Sequence, residues 1–188
     1  LDLVRFDSGQ AIPRLAPLRL DLLAEEVAAS VRTDDASVTA EPHAPVVVDA
    51  DMALLRQALD NVVRNAVRRS EHVELCSRVE GRFGVIDVID DGPGFDPEAL
   101  PRIFDRYQRG DRRGEVGLGL AIVKAIMVAH GGDVRAANRS ADEDADATSA
   151  SRPAGGPPVT HDDASAAPVG GRAGGGAMVS LLVPLADH

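Results

Sequence analysis

Three stretches of the chain repeat apolar residues every three or four positions, and this spacing predicts three amphipathic helices. They cover residues 20–31, about 51–70 and 118–130. Asp49 or Asp51 is placed to cap the second helix, because an aspartate side chain accepts hydrogen bonds from the free N–H groups of a first turn. Gly131 and Gly132 are expected to end the third helix as a glycine C-cap.

Shorter apolar runs predict six strands, at residues 37–40, 46–48, 73–79, 83–89, 134–137 and 178–184. Glu80-Gly81-Arg82 joins the third and fourth runs, so these two are expected to form a β-hairpin. Pro13 and Pro17 mark a linker before the first helix. Residues 97–107 are expected to form a short helix or helical turns. The chain is therefore predicted to combine helices with strands.

Residues 140–176 separate the last two predicted strands and differ in composition from the rest. They contain two Val and no Leu, Ile, Met or aromatic residue. Such a stretch cannot bury enough apolar surface to offset the entropy lost on ordering it. We expect a disordered insertion in the loop between two paired strands, which a fold tolerates because closure entropy grows slowly with loop length.

Composition narrows the possible partners and compartments. A length of 188 residues fits one domain with extra segments. The net charge of −10 argues against nucleic acid, because phosphate backbones favour Lys and Arg. One cysteine, Cys76, suits a reducing compartment. No apolar run approaches the roughly 20 residues of a membrane helix. We therefore expect a cytoplasmic chain without direct membrane contact. Because it begins at Leu1, an inner-membrane anchor elsewhere in a longer parent protein stays open.

Asn61, Asn65 and Arg68 share one face of the second predicted helix, because their spacings of four and three residues match its turns. Asparagine oxygens are hard, neutral ligands that suit Mg²⁺, and Arg68 would add donors for a phosphate. The alternative interpretation is an ordinary solvated face of an amphipathic helix.

Two glycine-bearing segments suggest a nucleotide. Asp90 ends an apolar run and is followed by Gly92 and Gly94. A carboxylate there can accept from an exocyclic amine such as that of adenine, and glycines let the backbone approach a ring. Gly117 and Gly119 precede the third helix, where exposed N–H groups at the positive end of the dipole favour phosphate. Taken singly, either segment is also typical of an ordinary turn.

An arginine-rich segment lies between these two glycine segments. Five Arg stand against two Asp from Arg102 to Arg113. Ile103, Phe104 and Tyr107 are suited to dock on a neighbouring surface, and the guanidinium of Arg109 is suited to reach a phosphate. The alternative is a charged mobile loop with a buried phenylalanine.

The order of these motifs is more specific than any one of them. Asn-x-x-x-Asn-Ala, Asp-x-Gly-x-Gly, Phe-x-x-Tyr-x-Arg and Gly-Leu-Gly-Leu-Ala-Ile-Val-Lys follow one another, and His130-Gly131-Gly132 comes later. This series resembles the N, G1, F and G2 boxes of the ATP-binding catalytic domain of bacterial sensor histidine kinases. The resemblance covers roughly residues 1–138 and 177–185. It implies the Bergerat ATP-binding fold, an α/β two-layer sandwich with a mixed sheet, helices on one face and ATP under a flexible lid.

The resemblance also implies roles for individual residues. Asn65 would be the Mg²⁺ ligand, Asn61 would support phosphate and metal, and Arg109 would contact the γ-phosphate, which makes these three the expected catalytic set. Asp90 would hold the adenine amine, and residues 108–116 would form the lid. The other residues expected to bind the nucleotide are Arg68, Arg69, Gly92, Gly94, Ile103, Phe104, Gly117, Leu118, Gly119 and Leu120.

Partners follow from the same resemblance. Residues 1–12 are similar to the end of a dimerisation helix with its linker, and residues 13–188 would form the catalytic domain. None of the five histidines lies in a His-Glu or His-Asp helical context, so the phosphoacceptor is expected on a histidine-bearing dimerisation domain, in the same or a separate chain. A response regulator would be an indirect partner, and the isolated domain is expected to be monomeric.

Three residues depart from the family pattern, and the first of them, Arg68, stands where Lys is usual. Hydrolytic relatives usually carry a glutamate four residues before the metal-binding asparagine, whereas Asn61 cannot take a proton, which favours transfer over hydrolysis. Arg69 replaces a usual aromatic residue and Glu115 a usual glycine, so a degenerate nucleotide sensor or interaction module is the second hypothesis. A Ser/Thr anti-sigma-factor kinase is the third, and the helix ending at residues 1–10 argues against it.

Overall fold

The computed structural model describes residues 12–31, 33, 36–41, 44–105, 118–139 and 176–186. These ranges contain three α-helices, one short 3₁₀ helix at Leu100–Arg102 and seven strands. The helices are α1 (Leu20–Ser30), α2 (Met52–Val67) and α3 (Gly119–Ala129). The strands are β1 (Ala16–Arg19), β2 (Ser37–Ala40), β3 (Val47–Ala50), β4 (His72–Glu80), β5 (Phe83–Asp90), β6 (Asp133–Asn138) and β7 (Ala177–Pro184).

The main sheet has five strands in the order β2-β4-β5-β7-β6. Strands β2 and β4 are parallel, whereas the other three pairs are antiparallel, so the sheet is mixed. A separate ribbon pairs β1 with β3. In the main sheet Asp90, Ala177 and Asn138 form one cross-strand row over β5, β7 and β6, at the edge where β5 ends.

One face of the sheet carries the helices. The core takes alternate positions from each central strand, such as Ile86 and Val88 from β5 and Val179 and Leu181 from β7. Because side chains of a strand alternate between faces, these residues all project to one side. They meet the buried sides of the three helices, which contribute Leu20, Leu23, Val27, Leu55, Leu59, Val62, Val123, Ile126 and Met127. The result is the predicted α/β sandwich with a mixed sheet and helices on one face.

Helices α2 and α3 pack against each other. His130, which follows α3, accepts the backbone N–H of Asp51 through Nε2 at 3.0 Å and donates Nδ1–H to the carbonyl of Ile126 at 2.8 Å. The tautomer follows from these two partners. Asp51 itself caps α2 through the N–H groups of Ala53 and Leu54. The end of α3 is thus tied to the start of α2, so the start of α3 lies toward the C-terminal half of α2.

The structure corrects two sequence-based expectations. Residues 16–19 are strand β1 rather than linker, because they pair with β3. Pro17, which has no N–H to donate, is tolerated opposite Asp49 at the edge of this two-stranded ribbon. Helix α2 ends at Val67, three residues earlier than expected. The short helix or helical turns expected in residues 97–107 take the form of a 3₁₀ turn at Leu100–Arg102 in the described part of that range. The described helices include none with both the length and the apolar composition to cross a membrane.

The connection between β6 and β7 leads to a stability prediction. Arg139 donates its N–H to the Gly176 carbonyl at 2.9 Å, so the two strands meet directly where the connection begins and ends. Replacing residues 140–175 by four turn residues shortens the loop about ninefold and should raise the free energy of unfolding by roughly 2 kcal/mol, because less closure entropy is lost. Denaturant titration measures this change. A Gly/Ser segment of the original length should leave stability unchanged, and a less stable shortened chain would contradict the expected disorder.

Candidate functional site

A cleft opens where the C-terminal end of α2 meets the end of β5. It contains about 200 Å³ of space, part of it open to solvent. Three elements supply its walls: the last turns of α2 with the residues just after it, the loop after β5, and the first residue of β7. The lining residues are Asn65, Arg69, Asp90, Pro93, Gly94, Phe95 and Ala177.

Asp90 presents a half-buried carboxylate to this cleft. Its Oδ1 accepts the backbone N–H of Gly92 at 3.0 Å. Burial raises the pKa of Asp90 above its ordinary value, while the N–H groups of Gly92 and Ala177 and the charge of Arg69 act in the opposite direction. Each carboxylate oxygen can accept more than one hydrogen bond, so the side chain retains acceptor capacity toward the cleft beside these N–H groups.

Gly92 lies where the loop after β5 touches the turn after α2. A Cβ at Gly92 would stand 2.8 Å from the carbonyl oxygen of Arg69 and 2.9 Å from Oδ1 of Asp90. Only a residue without a side chain permits this approach. Asp91 secures the same junction, because its Oδ1 accepts the N–H groups of Glu71 and His72 at 2.9 and 3.0 Å. The loop is therefore tied to the start of β4.

Gly94 and Phe95 are held from the other side by Asn138. Gly94 has φ of +77°, a left-handed conformation that favours glycine. The side-chain Oδ1 of Asn138 accepts the N–H of Phe95 at 2.6 Å, and its Nδ2 donates to the Phe95 carbonyl at 2.8 Å. The end of β6 thus grips the backbone of the loop at one residue.

Arg69 and Phe95 form the outer wall of the cleft. The guanidinium carbon of Arg69 lies 5.9 Å from the centre of the Phe95 ring, within the range of a cation–π contact. Phe95 is 9% exposed and belongs to the core, whereas Arg69 is exposed. A fixed aromatic ring and a movable guanidinium plane therefore face the same space, and both are surfaces on which a flat ring can stack.

Asn65 enters the cleft from α2, and Asn61 lies one turn before it. Both side chains are half-buried. Within the described part of the chain neither amide has a hydrogen-bond partner, so the Asn65 oxygen is available to a ligand. The same part of the chain holds no group of three or more His, Cys, Asp or Glu placed to bind a metal ion. A cation here would therefore depend on the asparagine oxygen and on oxygens of another ligand.

The start of α3 faces the same end of the molecule. Helix α3 has 11 residues and is therefore about 16 Å long. The same distance along α2, counted from Asp51, ends roughly at Asn61. The helix begins at Gly119 without a side-chain cap. A Cβ added to Gly119 would meet no atom of the described residues within 4 Å. An uncapped helix start of this kind favours an anion.

Not all predicted residues line the cleft. Asn65, Arg69, Asp90 and Gly94 do, and Gly92 supports its floor. Ile103, Phe104 and Leu120 are partly buried against the core. The remaining described members do not line it: Asn61 is on α2, Arg68 directly follows α2, and Leu118 and Gly119 are at the start of α3. Arg109, Gly117, Glu115 and the expected lid lie outside the described residues.

The structure adds four residues that the motifs did not assign. Pro93 and Phe95 belong to the glycine segment itself, so their position beside Gly92 and Gly94 was an available signal. Ala177 enters because it pairs with Asp90 across the sheet. Asn138 contacts Phe95 from 43 residues away along the chain. Local sequence carries no signal for these last two residues, because only the order of strands brings them to the site.

Comparison with known proteins places this fold and site in a family. The model of the histidine kinase-, DNA gyrase B-, and HSP90-like ATPases matches residues 50–187. The sensor protein CzcS of Cupriavidus metallidurans is 36% identical over 72% of this chain and 31% of its own length. The sensor-like histidine kinase SenX3 of Mycobacterium bovis is 34% identical over 72% of this chain and 36% of its own. The chain thus spans about a third of the curated relatives it matches.

Solved structures agree with this assignment. Full-length ShkA in complex with AMPPNP covers 100% of this chain with a TM-score of 0.67 and 28% identity, and the match takes up 35% of ShkA. The ATP binding domain of PrrB from Mycobacterium tuberculosis covers 92% of this chain and 98% of its own, with a TM-score of 0.62. At 22% identity the second match speaks for the fold alone. The chain therefore belongs to the histidine kinase-, DNA gyrase B- and HSP90-like ATPase family, on the branch of the sensor histidine kinases.

Proposed function

We propose that this chain binds Mg²⁺-ATP in the cleft between α2 and the loop after β5, and that it presents the γ-phosphate to a histidine on a dimerisation domain. The observation that carries the proposal is that one cleft holds both the Asp90 carboxylate and the Asn65 amide, which has no side-chain partner among the described residues. The uncapped start of α3, which the contact of His130 with Asp51 turns toward the same end of the molecule, supports it. A metal ligand, a base acceptor and an anion site are the three parts that a magnesium nucleotide needs.

The base would lie against Asp90. Oδ1 is engaged by Gly92, so Oδ2 remains to accept the exocyclic amine of adenine. Phe95 and Arg69 offer stacking surfaces on the outer side. Arg69 has to swing away from the Phe95 ring or stack over the base, which an exposed side chain does at little cost. The family match and the AMPPNP complex of ShkA support a nucleotide as the ligand.

The phosphates would lie between Asn65 and the start of α3. The Asn65 oxygen suits Mg²⁺, which prefers hard oxygen ligands and usually keeps phosphate oxygens and water in its shell. When bound, Mg²⁺ neutralises charge on the phosphate oxygens. Asn61 would add a donor one helical turn away, and the N–H groups after Leu118 would receive the phosphate chain. Arg68, Ile103, Phe104, Arg109, Gly117 and Leu120 stay proposed from the resemblance.

Transfer is favoured over hydrolysis by the side chains before Asn65. The neutral amide of Asn61 cannot act as a general base for water. Asp60 is the nearest carboxylate in sequence, and its Oδ2 lies 3.9 Å from Nε of Arg56, one turn toward the start of α2. Asp60 is not among the residues that line the cleft. The chain would supply positioning and charge stabilisation, and the partner's histidine would be the nucleophile.

The partner would be a histidine-bearing dimerisation domain, with a response regulator acting after it, because the relatives are sensor kinases of which this chain spans a third. Of the two described histidines, His130 is buried with both ring nitrogens bonded, so it is unsuited to accept a phosphoryl group. We further propose residues 13–188 as the catalytic domain and residues 1–12 as the end of the preceding helix, in a protein whose catalytic part is cytoplasmic.

A trans-phosphorylation assay tests the proposed function. The chain is mixed with γ-labelled ATP, Mg²⁺ and a dimerisation domain that carries the histidine, with Asn65→Ala as the inactive control. Acid-labile label on the partner is the expected result. Saturable ATP binding without label on the partner would favour a nucleotide-sensing module. The contact of Arg69 with Phe95 is the structural observation that motivates this alternative. Absence of saturable binding would overturn the proposal.

Gly119→Ala separates a role in ligand binding from a role in folding. The new methyl group meets no atom of the described residues within 4 Å, so the free energy of unfolding should stay level or rise by up to about 1 kcal/mol through helix propensity. ATP affinity should fall roughly tenfold, because the methyl group occupies the approach of the phosphates.

Gly132→Ala is the matched control for this substitution. Its Cβ would stand 2.0 Å from the Leu182 carbonyl oxygen, so it should lower stability strongly. Denaturant titration and isothermal titration calorimetry give both quantities for each variant. Wild-type ATP affinity in Gly119→Ala would refute the phosphate site at the start of α3.

A further inference from the structure

We infer that Asn138 is a positioning residue for the adenine base, acting through the backbone of Phe95 from the last position of β6. The inference rests on the proposed function, since it deepens the account of the same cleft. Asn138 does not line the cleft, and no motif points to it. Its side chain nevertheless determines where one wall of the base site stands.

Asn138 is aligned in the sheet with two residues that line the cleft. Asp90, Ala177 and Asn138 are direct partners across β5, β7 and β6. Opposed residues project from the same face, and here it is the face covered by helices, because Val88 and Val179, two positions from Asp90 and Ala177, are core residues. The side chain of Asn138 therefore starts on the same side of the sheet as the carboxylate proposed to read the base.

Both polar atoms of the Asn138 amide form hydrogen bonds. Its residue is exposed, yet its oxygen and its nitrogen both bond to the backbone of Phe95, at 2.6 and 2.8 Å. A pair of bonds to one residue fixes both the distance and the rotation of that peptide segment, whereas a single bond would leave a hinge.

Gly94 leaves room for the Asn138 amide. Gly94 adopts φ of +77°, and a Cβ there would lie 2.8 Å from Oδ1 of Asn138. The left-handed turn and the absence of a side chain together let the amide reach Phe95. The contact with Phe95 therefore depends on both Gly94 and Asn138. Gly94 also lines the cleft with Asp90, so a shift of this contact would move the wall that faces the base.

The two sides of the proposed base site differ in how firmly they are held. Asp90 stands on a central strand and cannot move far, because it is paired with Val73 of β4 on one side and with Ala177 of β7 on the other. The loop with Phe95 has no strand partner and depends on side-chain contacts. Without Asn138 the carboxylate stays in place while the facing wall loosens. Selectivity for the base should therefore suffer more than affinity for the triphosphate.

The test compares ATP and GTP on Asn138→Ala, by competition against a fluorescent ATP analogue with Mg²⁺. We expect about tenfold weaker ATP binding from two lost hydrogen bonds, while GTP affinity changes less than about twofold. Asn138→Asp keeps the acceptor for the Phe95 N–H and loses the donor, so it should fall between wild type and Asn138→Ala. Arg135→Ala, on the same strand but paired with Glu80 at the surface, should bind as wild type.

The outcomes separate the two levels of the proposal. Wild type that binds ATP, with Asn138→Ala binding it equally well, would overturn the role of Asn138 and leave the proposed function intact. An equal loss of ATP and GTP affinity would overturn it as well, because that pattern marks general damage to the fold. If wild type failed to bind ATP, both the proposed function and this inference would be wrong.

Discussion

Asn65→Ala is expected to weaken the binding of ATP in Mg²⁺ by about 100-fold, equivalent to about 2.7 kcal/mol. The substitution removes the one uncharged oxygen that α2 places in the cleft for a metal ion. Alanine is the best helix former, so α2 should keep its stability. Calorimetric titration with ATP in Mg²⁺ and in EDTA measures the effect, and only the titration with Mg²⁺ should change.

Two variants control this prediction. Arg64→Ala changes the exposed neighbour of Asn65 on a different face of α2 and should bind Mg²⁺-ATP as wild type does. Asn65→Asp keeps an oxygen at the same place and should retain most of the magnesium dependence. If Asn65→Ala lost affinity equally with and without Mg²⁺, Asn65 would be a contact to the nucleotide rather than to the metal.

Asp90→Asn should lower ATP affinity by about 10- to 100-fold, the range of a hydrogen bond to a charged group. The asparagine oxygen would take over the bond from the Gly92 N–H, and its NH₂ group would then face the adenine amine. Two donors opposed in a half-buried cleft cannot bond. Equilibrium binding of ATP to wild type and variant gives the ratio, with Asp96→Asn, an exposed loop residue outside the cleft, as the control.

The same substitution should leave the free protein at least as stable near neutral pH. Burial raises the pKa of Asp90, so the folded state holds its proton more tightly than the unfolded state does. A raised pKa favours folding at low pH, and this contribution is lost as the pH rises through the folded-state pKa. At neutral pH wild type therefore carries the cost of a buried charge, which Asp90→Asn removes.

Stability and ATP affinity measured against pH check this explanation together. Wild type should bind ATP less well as the pH falls toward the raised pKa of Asp90, whereas the Asp90→Asn variant should show a flatter profile. A variant that lost both stability and affinity at neutral pH would show that the Asp90 carboxylate holds the fold, and the assignment to the base would fail.

The sequence predicted the elements that short-range physics controls. The predicted helices at 20–31 and 118–130 agree with α1 and α3 to within one residue at each end, because apolar periodicity and glycine at positive φ are local properties. The hairpin of β4 and β5 agrees for the same reason. The order of the motifs identified the family before any strand was paired, and the family match confirms it. Asn65 and Asp90 belonged to those motifs.

What the sequence by itself determined was thus the set of elements, the family and the chemical groups that a magnesium nucleotide requires. The tertiary structure alone decided which of them meet. Residues 16–19 become a strand only because β3 lies beside them, and Ile103 and Phe104 pack in part against the core. Ala177 and Asn138 join the site because β7 and β6 stand next to β5. Contacts across strands depend on chain order in space, which no window of neighbouring residues encodes.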